Sequence, residues 1–101
     1  MAKVFLCKVD DVACDALKEL TLDNGDKVCV MKSGETIFAC QAYCPHEGIP
    51  LRDGCLDGTT LTCLEHLWQW DVRSGAPQGL AEAALPMREI EIDGESVYLK
   101  D

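Results

Sequence analysis

The sequence predicts an all-β fold of small antiparallel sheets. Short runs of β-forming residues alternate with tight turns at intervals of roughly 8 to 12 residues, which is the spacing of all-β domains. Asn24-Gly25 lies between two such runs and is the strongest two-residue hairpin signal. The chain of 101 residues has the length of one small domain, which we expect to span residues 1–101.

Four strands are expected in the first part of the chain. In order they are 3–9 (KVFLCKV), 16–22 (ALKELTL), 27–32 (KVCVMK) and 36–42 (TIFACQA). The turn DNGD (23–26) connects the second strand to the third, and SGE (33–35) connects the third to the fourth. Consecutive strands joined by turns this short predict an antiparallel meander.

Three more strands are expected after residue 66, namely 67–72 (LWQWDV), 88–92 (REIEI) and 96–100 (SVYLK). The turn RSG (73–75) follows the first, and DGE (93–95) joins the other two in a hairpin. The segment GLAEAALPM (79–87) contains helix-favouring residues, but Gly79 and Pro86 leave too short a stretch for a stable helix. We predict a loop there, with one helical turn at most.

The composition excludes several classes of function. A formal net charge of −9 disfavours binding to nucleic acid and to anionic membranes, and favours a protein partner with a basic patch. The first residues, MAKVFLCKVDDVACDAL, do not resemble a signal peptide, and no apolar run is long enough to span a bilayer. Seven cysteines without an export signal predict a cytoplasmic protein with thiols or metal ligands rather than disulfides.

Both histidines of the chain follow a cysteine closely, in Cys44-x-His46 and Cys63-x-x-His66. Two thiolates and two imidazoles suit tetrahedral zinc or a [2Fe-2S] cluster with mixed ligands. A zinc finger usually pairs Cys with Cys and His with His, whereas here each loop supplies one of each. If two neighbouring loops each present Cys first, both cysteines can bind one iron and both histidines the other.

At these residues the chain resembles the Rieske family. The resemblance rests on Cys44-Pro45-His46-x-Gly48 and Cys63-x-x-His66, separated by 16 residues, and it extends through WQWDVRSGAP (68–77) and the last strands. It implies a small Rieske-type fold in which two loops form a cluster-binding part, at about residues 43–78. It also implies a [2Fe-2S] cluster with one iron bound by Cys44 and Cys63 and the other by His46 and His66.

Departures from the respiratory members of the family indicate the type of Rieske protein. Those proteins carry a disulfide between the ligand loops, but Ile49 and Glu65 stand at the corresponding positions here. They also carry a serine that donates a hydrogen bond to the cluster, where this chain has Trp68. Fewer donors stabilise added negative charge less, which predicts a reduction potential at the low end of the Rieske range, about −150 mV.

The resemblance therefore implies a ferredoxin that carries one electron and catalyses no reaction itself. Its partners would be an NADH-dependent, flavin-containing reductase and the hydroxylase component of an oxygenase. The form His66-Leu67-Trp68 resembles the Rieske ferredoxins of multicomponent di-iron monooxygenases such as toluene 4-monooxygenase, which act on aromatic or other hydrocarbons. The alternatives are the ferredoxin component of a ring-hydroxylating dioxygenase and a structural zinc-binding module. We expect a monomer.

Four residues near the ligands have further predicted roles. Glu47 and Glu65 adjoin the histidines and form either an acidic docking rim or ordinary solvated surface. Pro77, in SGAPQG (74–79), resembles the proline of the loop that covers the cluster in the family. Trp68 shares a strand face with Trp70, and both are expected to pack beside or beneath the cluster. The remaining cysteines are expected to be small buried apolar residues: Cys7, Cys14, Cys29, Cys40 and Cys55.

Overall fold

The computed structural model describes residues 4–23, 25–44, 50–63 and 67–100, and within them it is an all-β fold of three antiparallel sheets. The strands in chain order are Val4–Lys8 (β1), Leu17–Thr21 (β2), Lys27–Ser33 (β3), Thr36–Gln41 (β4), Cys55–Asp57 (β5), Thr60–Cys63 (β6), Trp68–Asp71 (β7), Ala76–Gly79 (β8), Met87–Arg88 (β9), Ile90–Asp93 (β10) and Ser96–Leu99 (β11). Two short 3-10 helices, Val9–Asp11 and Leu51–Asp53, lie between strands. The predicted fold class is confirmed.

The first sheet has the strand order β1-β11-β10, so the first strand of the chain pairs with the last. Val4 pairs with Leu99, and a bulge follows between Phe5 and Cys7. The inward face of β11 carries Val97 and Leu99, which are both buried because alternate residues of a strand face the same side. The predicted hairpin at 93–95 joins β10 to β11.

The second sheet has the order β2-β3-β4-β9 and lies between two apolar cores. Along β3, Val28 and Val30 belong to one core and Cys29 and Met31 to the other, because successive side chains point to opposite faces. All four are fully buried, which explains the nearly continuous apolar run of this strand. The turn before β3 contains Gly25 with φ of +93°, a conformation that glycine adopts without strain.

The third sheet has the order β5-β6-β7-β8, and its buried face adds Leu56, Leu61 and Trp70 to the core that contains Cys29. Strands β5 and β6 were not predicted from the sequence. Antiparallel pairing joins all three pairs of neighbouring strands, and the first residue of β7 lies opposite the last residue of β6. This sheet therefore includes Cys63, the cysteine of the second Cys/His segment.

Two predicted elements are wrong. The strand expected at 88–92 is interrupted at Glu89, because Arg88 pairs with Ala39 in the second sheet whereas Ile90 pairs with Leu99 in the first. The loop expected at 74–79 is a strand over Ala76–Gly79, which pairs with β7 along its whole length. The loop between β8 and β9 was predicted as such, and it contains no helical turn. No helix among the described residues has the length and apolarity needed to cross a membrane.

Candidate metal centre

Cys44 lies at the base of a loop that the backbone closes. Tyr43 and Pro50 form an isolated antiparallel bridge, and the backbone N–H of Leu51 donates to the carbonyl of Ala42 at 2.8 Å. These two contacts hold the chain on either side of residues 44–49 together. Cys44 is 1% exposed, so its thiol is shielded from water.

Cys63 occupies the equivalent place in the second loop. It is the last residue of β6 and pairs with Trp68, the first residue of β7. The backbone N–H of Leu67 donates to the Cys63 carbonyl at 2.7 Å, which closes the turn between the strands. Cys63 is also 1% exposed.

The two cysteines belong to one apolar core, together with Leu51, Leu61 and Trp68. Two soft sulfur donors in one apolar core, shielded from water by aliphatic and aromatic side chains, fit an iron–sulfur group well. Among the described residues no set of three or more His, Cys, Asp or Glu side chains is grouped as a metal site. That is expected for this ligand set, because His46 and His66 lie outside the described residues. The docking-rim residues Glu47 and Glu65 lie outside them as well.

Trp68 and Trp70 lie in the same apolar core as Cys63. The rings of Trp68 and Trp70 are 6.2 Å apart and meet edge to face at 66°. The Trp70 indole N–H donates to the carbonyl of Ala83 at 2.9 Å, so this fully buried ring has its polar group satisfied. Pro77 lies opposite Trp70 on β8 and is exposed. Shielding of the cluster by Trp68 and Pro77 stays a prediction.

Comparisons with known proteins agree with this geometry. Residues 2–91 match the family described as Rieske [2Fe-2S] domain. The chain belongs to the Rieske family.

Two curated relatives and one solved structure resemble this Rieske protein over most of its length. It is 34% identical to the methanesulfonate monooxygenase ferredoxin subunit of Methylosulfonomonas methylovora, over 94% of this chain and 76% of the relative. It is 28% identical to the ferredoxin component of the p-cumate 2,3-dioxygenase system of Pseudomonas putida, over 95% of this chain and 83% of the relative. The ferredoxin structure from Sphingomonas yanoikuyae B1 has the same fold, with a TM-score of 0.91, 22% identity and 99% of each chain covered.

Membership of the family identifies the cofactor as a [2Fe-2S] cluster. The zinc-binding module is therefore set aside. The family also accounts for a small domain with two cysteines buried in one apolar core.

The other five cysteines of this Rieske protein separate into two groups. Cys7, Cys29 and Cys40 are buried as predicted, whereas the prediction is wrong for Cys14 and Cys55, which are exposed. Cys14 is in an isolated bridge, and Cys55 begins the outermost strand of its sheet. All seven cysteines lie in the described residues, and none forms a disulfide.

Cys29 and Cys40 face each other across β3 and β4, a pairing that the sequence analysis missed. The signal was available, because counting back from a two-residue turn at Gly34-Glu35 pairs residue 29 with residue 40. Contact with the Cys29 thiol, reinforced by burial, raises the pKa of the Cys40 thiol well above its usual range. The Cys40 thiol therefore stays protonated and neutral inside the core.

A cavity of about 360 Å³ lies away from the two candidate ligand cysteines. Its walls come from β4, from the turn after β7 and from the junction between β9 and β10, and it contains Phe38, Arg73 and Met87. Neither Cys44 nor Cys63 lines it. The cavity is therefore separate from the candidate metal centre.

Proposed function

We propose that this Rieske protein is a one-electron carrier that takes electrons from an NADH-dependent, flavin-containing reductase and delivers them to an oxygenase. The observation that carries the proposal is the pair of closed loops, each with a buried cysteine at its base. Such a site can hold a redox group through two sulfur donors that are shielded from water and fixed by backbone pairing. The likeness to two ferredoxin components of oxygenase systems supports the same role. Hydroxylation itself would take place on the partner.

The proposed ligands are Cys44 and Cys63 for one iron and His46 and His66 for the other. When bound, the [2Fe-2S] group supplies reversible one-electron chemistry, at a higher potential than an all-cysteine cluster because two neutral imidazoles replace two thiolates. The chain fixes the positions of the sulfur donors and excludes water from them. Strand pairing at Cys63 and the bridge beside Cys44 fix both sulfur donors, and the apolar core lowers the dielectric around them.

The proposed acceptor is a multicomponent di-iron monooxygenase acting on aromatic or other hydrocarbons. The His66-Leu67-Trp68 form favours it. The relative with 34% identity, the ferredoxin subunit of methanesulfonate monooxygenase, supports a monooxygenase acceptor but not the di-iron centre or the hydrocarbon substrate. The second candidate acceptor is a ring-hydroxylating dioxygenase. It is favoured by the relative with 28% identity, which is the ferredoxin component of a dioxygenase system.

We further propose a cytoplasmic monomer that binds its two partners in turn. Such a carrier needs small interfaces and weak binding, so that it is released after each transfer. The net charge of −9 fits partners with basic docking surfaces, and Glu47 and Glu65 are the proposed acidic rim. Reversing both charges is expected to reduce the salt dependence of electron transfer, and an unchanged dependence would exclude this rim.

The experiment that tests the proposal is reoxidation of the reduced holoprotein by defined acceptors. The protein is reduced with dithionite under anaerobic conditions and mixed in a stopped-flow instrument with three oxygenase components. These come from methanesulfonate monooxygenase, p-cumate 2,3-dioxygenase and toluene 4-monooxygenase. Fast reoxidation by one of them supports the carrier role and selects the class of acceptor. Reoxidation by all three no faster than by an unrelated iron protein contradicts it.

A second measurement tests the ligand set independently of any partner. Low-temperature EPR of the reduced protein is expected to show the low average g value of a cluster with mixed ligands, at potentials below about −100 mV. His66→Cys is expected to move the spectrum and the potential towards those of an all-cysteine cluster. A variant with the spectrum of the wild-type protein would remove His66 from the ligand set.

A further inference from the structure

Two exposed leucines lie at one end of the β7–β8 hairpin. Leu67 directly precedes β7 and Leu80 directly follows β8, and the ladder pair between them is Trp68 with Gly79. Because the strands are antiparallel, the start of β7 and the end of β8 are at the same end of the sheet. Leu67 is 57% exposed and Leu80 is 67% exposed. The pair therefore presents apolar surface to water beside the second ligand loop.

The backbone of Leu67 is strained. Its φ of +58° is in the left-handed region, which a bulky side chain adopts at a cost and which glycine or asparagine adopts more easily. In the free protein, burial of the side chain does not offset this strain, because more than half of Leu67 is exposed to water. Strain of this kind is characteristic of functional sites, where the residue is needed for something other than stability.

We propose that Leu67 and Leu80 are the apolar anchors with which this protein docks onto the oxygenase component. This inference rests on the proposed function. Leu67 is the residue directly after the proposed ligand His66, so a partner seated on it would meet the protein where the electron leaves. The oxygenase is the occupant because both curated relatives are named as ferredoxin components of oxygenase systems.

The chemistry of the partner surface follows from the two features on this side. It is an apolar depression that receives the leucines, surrounded by basic groups that complement a chain of net charge −9. The charges govern the rate of association, and the leucines govern how long the complex lasts. Salt and leucine substitutions should therefore act on different rate constants.

The test uses Leu67→Asn and Leu80→Asn in the holoprotein, with Ile92→Asn as the matched control. Asparagine tolerates the left-handed backbone at position 67 and removes the apolar contact. Ile92 is also exposed, at 47%, but lies on β10 in a different sheet. Each leucine variant is expected to raise the KM for the oxygenase component of methanesulfonate monooxygenase about tenfold, mainly through faster dissociation. The control is expected to leave KM unchanged.

Three further readouts distinguish docking from a structural role. The reduction potential and EPR spectrum of both variants should match the wild-type protein, and the melting temperature of Leu67→Asn should be equal or higher. A lower melting temperature or a shifted potential in both variants overturns the proposal. So does a slower reaction with the reductase of the same system while the oxygenase reaction is unchanged, because that assigns the leucines to the other partner.

Separate outcomes would contradict the proposed function and the docking proposal. If the wild-type protein transfers no electron to the oxygenase component, the proposed function fails. If the wild-type protein transfers electrons and both leucine variants keep its KM, the proposed function stands and the docking inference is overturned.

Discussion

Nη1 of Arg52 lies 2.7 Å from Oε1 of Glu19, which ties the helical turn after the first ligand loop to β2. The carboxylate side chain is 11% exposed and the guanidinium side chain 46% exposed. Oε1 of Glu19 accepts no hydrogen bond from the described residues, so the Arg52 guanidinium offsets its charge through this ion pair. The contact is therefore electrostatic, and it links the second sheet to the segment that begins directly after Pro50.

Removing Arg52 should destabilise the protein. Arg52→Ala leaves a largely buried carboxylate without its cation, at a cost of about 1–2 kcal/mol, less than for a fully buried pair because Arg52 is partly solvated. Chemical denaturation of the holoprotein measures this change. Lys100→Ala is the control, since that lysine is 4.0 Å from Glu89 and both side chains are exposed. Equal losses in the two variants would contradict a specific role for Arg52.

Asp71 should remain ionised in acid where an ordinary aspartate is protonated. Hydrogen bonds from the Arg73 side chain, and then from its backbone N–H, lower the Asp71 pKa from 3.8 to about 2. Because the folded pKa is depressed, this interaction stabilises the protein fully above about pH 4. The stabilisation is lost as the pH falls from about 4 towards 2. NMR titration of the carboxyl carbon from pH 5 to 3 should show little change in the wild-type protein.

Arg73→Gln should raise the Asp71 pKa, but not all the way to 3.8, because the backbone N–H of residue 73 still donates to Oδ1. Lys100→Gln removes the same charge elsewhere and should leave the titration of Asp71 unchanged. An Asp71 midpoint that is the same in Arg73→Gln and the wild-type protein would rule out the guanidinium as its cause.

Replacing Gly75 by alanine should destabilise the protein much more than replacing Gly58, although both residues have positive φ, at +82° and +61°. A Cβ at Gly75 would clash with the backbone oxygen of Leu85 and meet Cγ of Met87 at 3.0 Å, whereas nothing lies within 4 Å of a Cβ at Gly58. Gly58→Ala should cost about 1–2 kcal/mol from backbone strain alone. Gly75→Ala should cost about 1–3 kcal/mol more from overpacking. Thermal unfolding of both variants measures the difference, and equal costs would show that packing at Leu85 is irrelevant.

Local signals in the sequence were sufficient for the hairpins. Asn24-Gly25 marks the turn between β2 and β3, and alternating apolar residues mark β11. The same alternation was present in Thr60-Leu61-Thr62-Cys63, where Leu61 and Cys63 are buried, but the Gly, Asp and Thr around it concealed a strand of four residues. Short strands inside polar segments are therefore the ones that are hardest to predict from composition.

Long-range pairing explains the remaining errors. Nothing local divides residues 88–92, because the break at Glu89 arises when the chain leaves β4 and joins β11. Strand β8 has no buried residue, and its pairing with β7 alone defines it. The ligand spacing, in contrast, is a local pattern. It predicted the family, which the comparison confirmed. It also predicted Cys44 and Cys63 as candidate ligands.

Thiol labelling should distinguish three kinds of cysteine: exposed thiols, buried thiols and the two thiolates proposed to bind the cluster. In the native holoprotein only the exposed Cys14 and Cys55 should react quickly with a thiol reagent such as DTNB, giving two equivalents. After unfolding and chelation of iron all seven should react. Cys14→Ser and Cys55→Ser should each remove one fast equivalent, whereas Cys29→Ser should remove none because that thiol is buried between the sheets. Chelation without denaturant should expose Cys44 and Cys63 first, since only these two are proposed to be released with the iron. A third fast thiol in the intact holoprotein, assigned to Cys44 or Cys63 by mass spectrometry, would show that this cysteine does not bind the cluster.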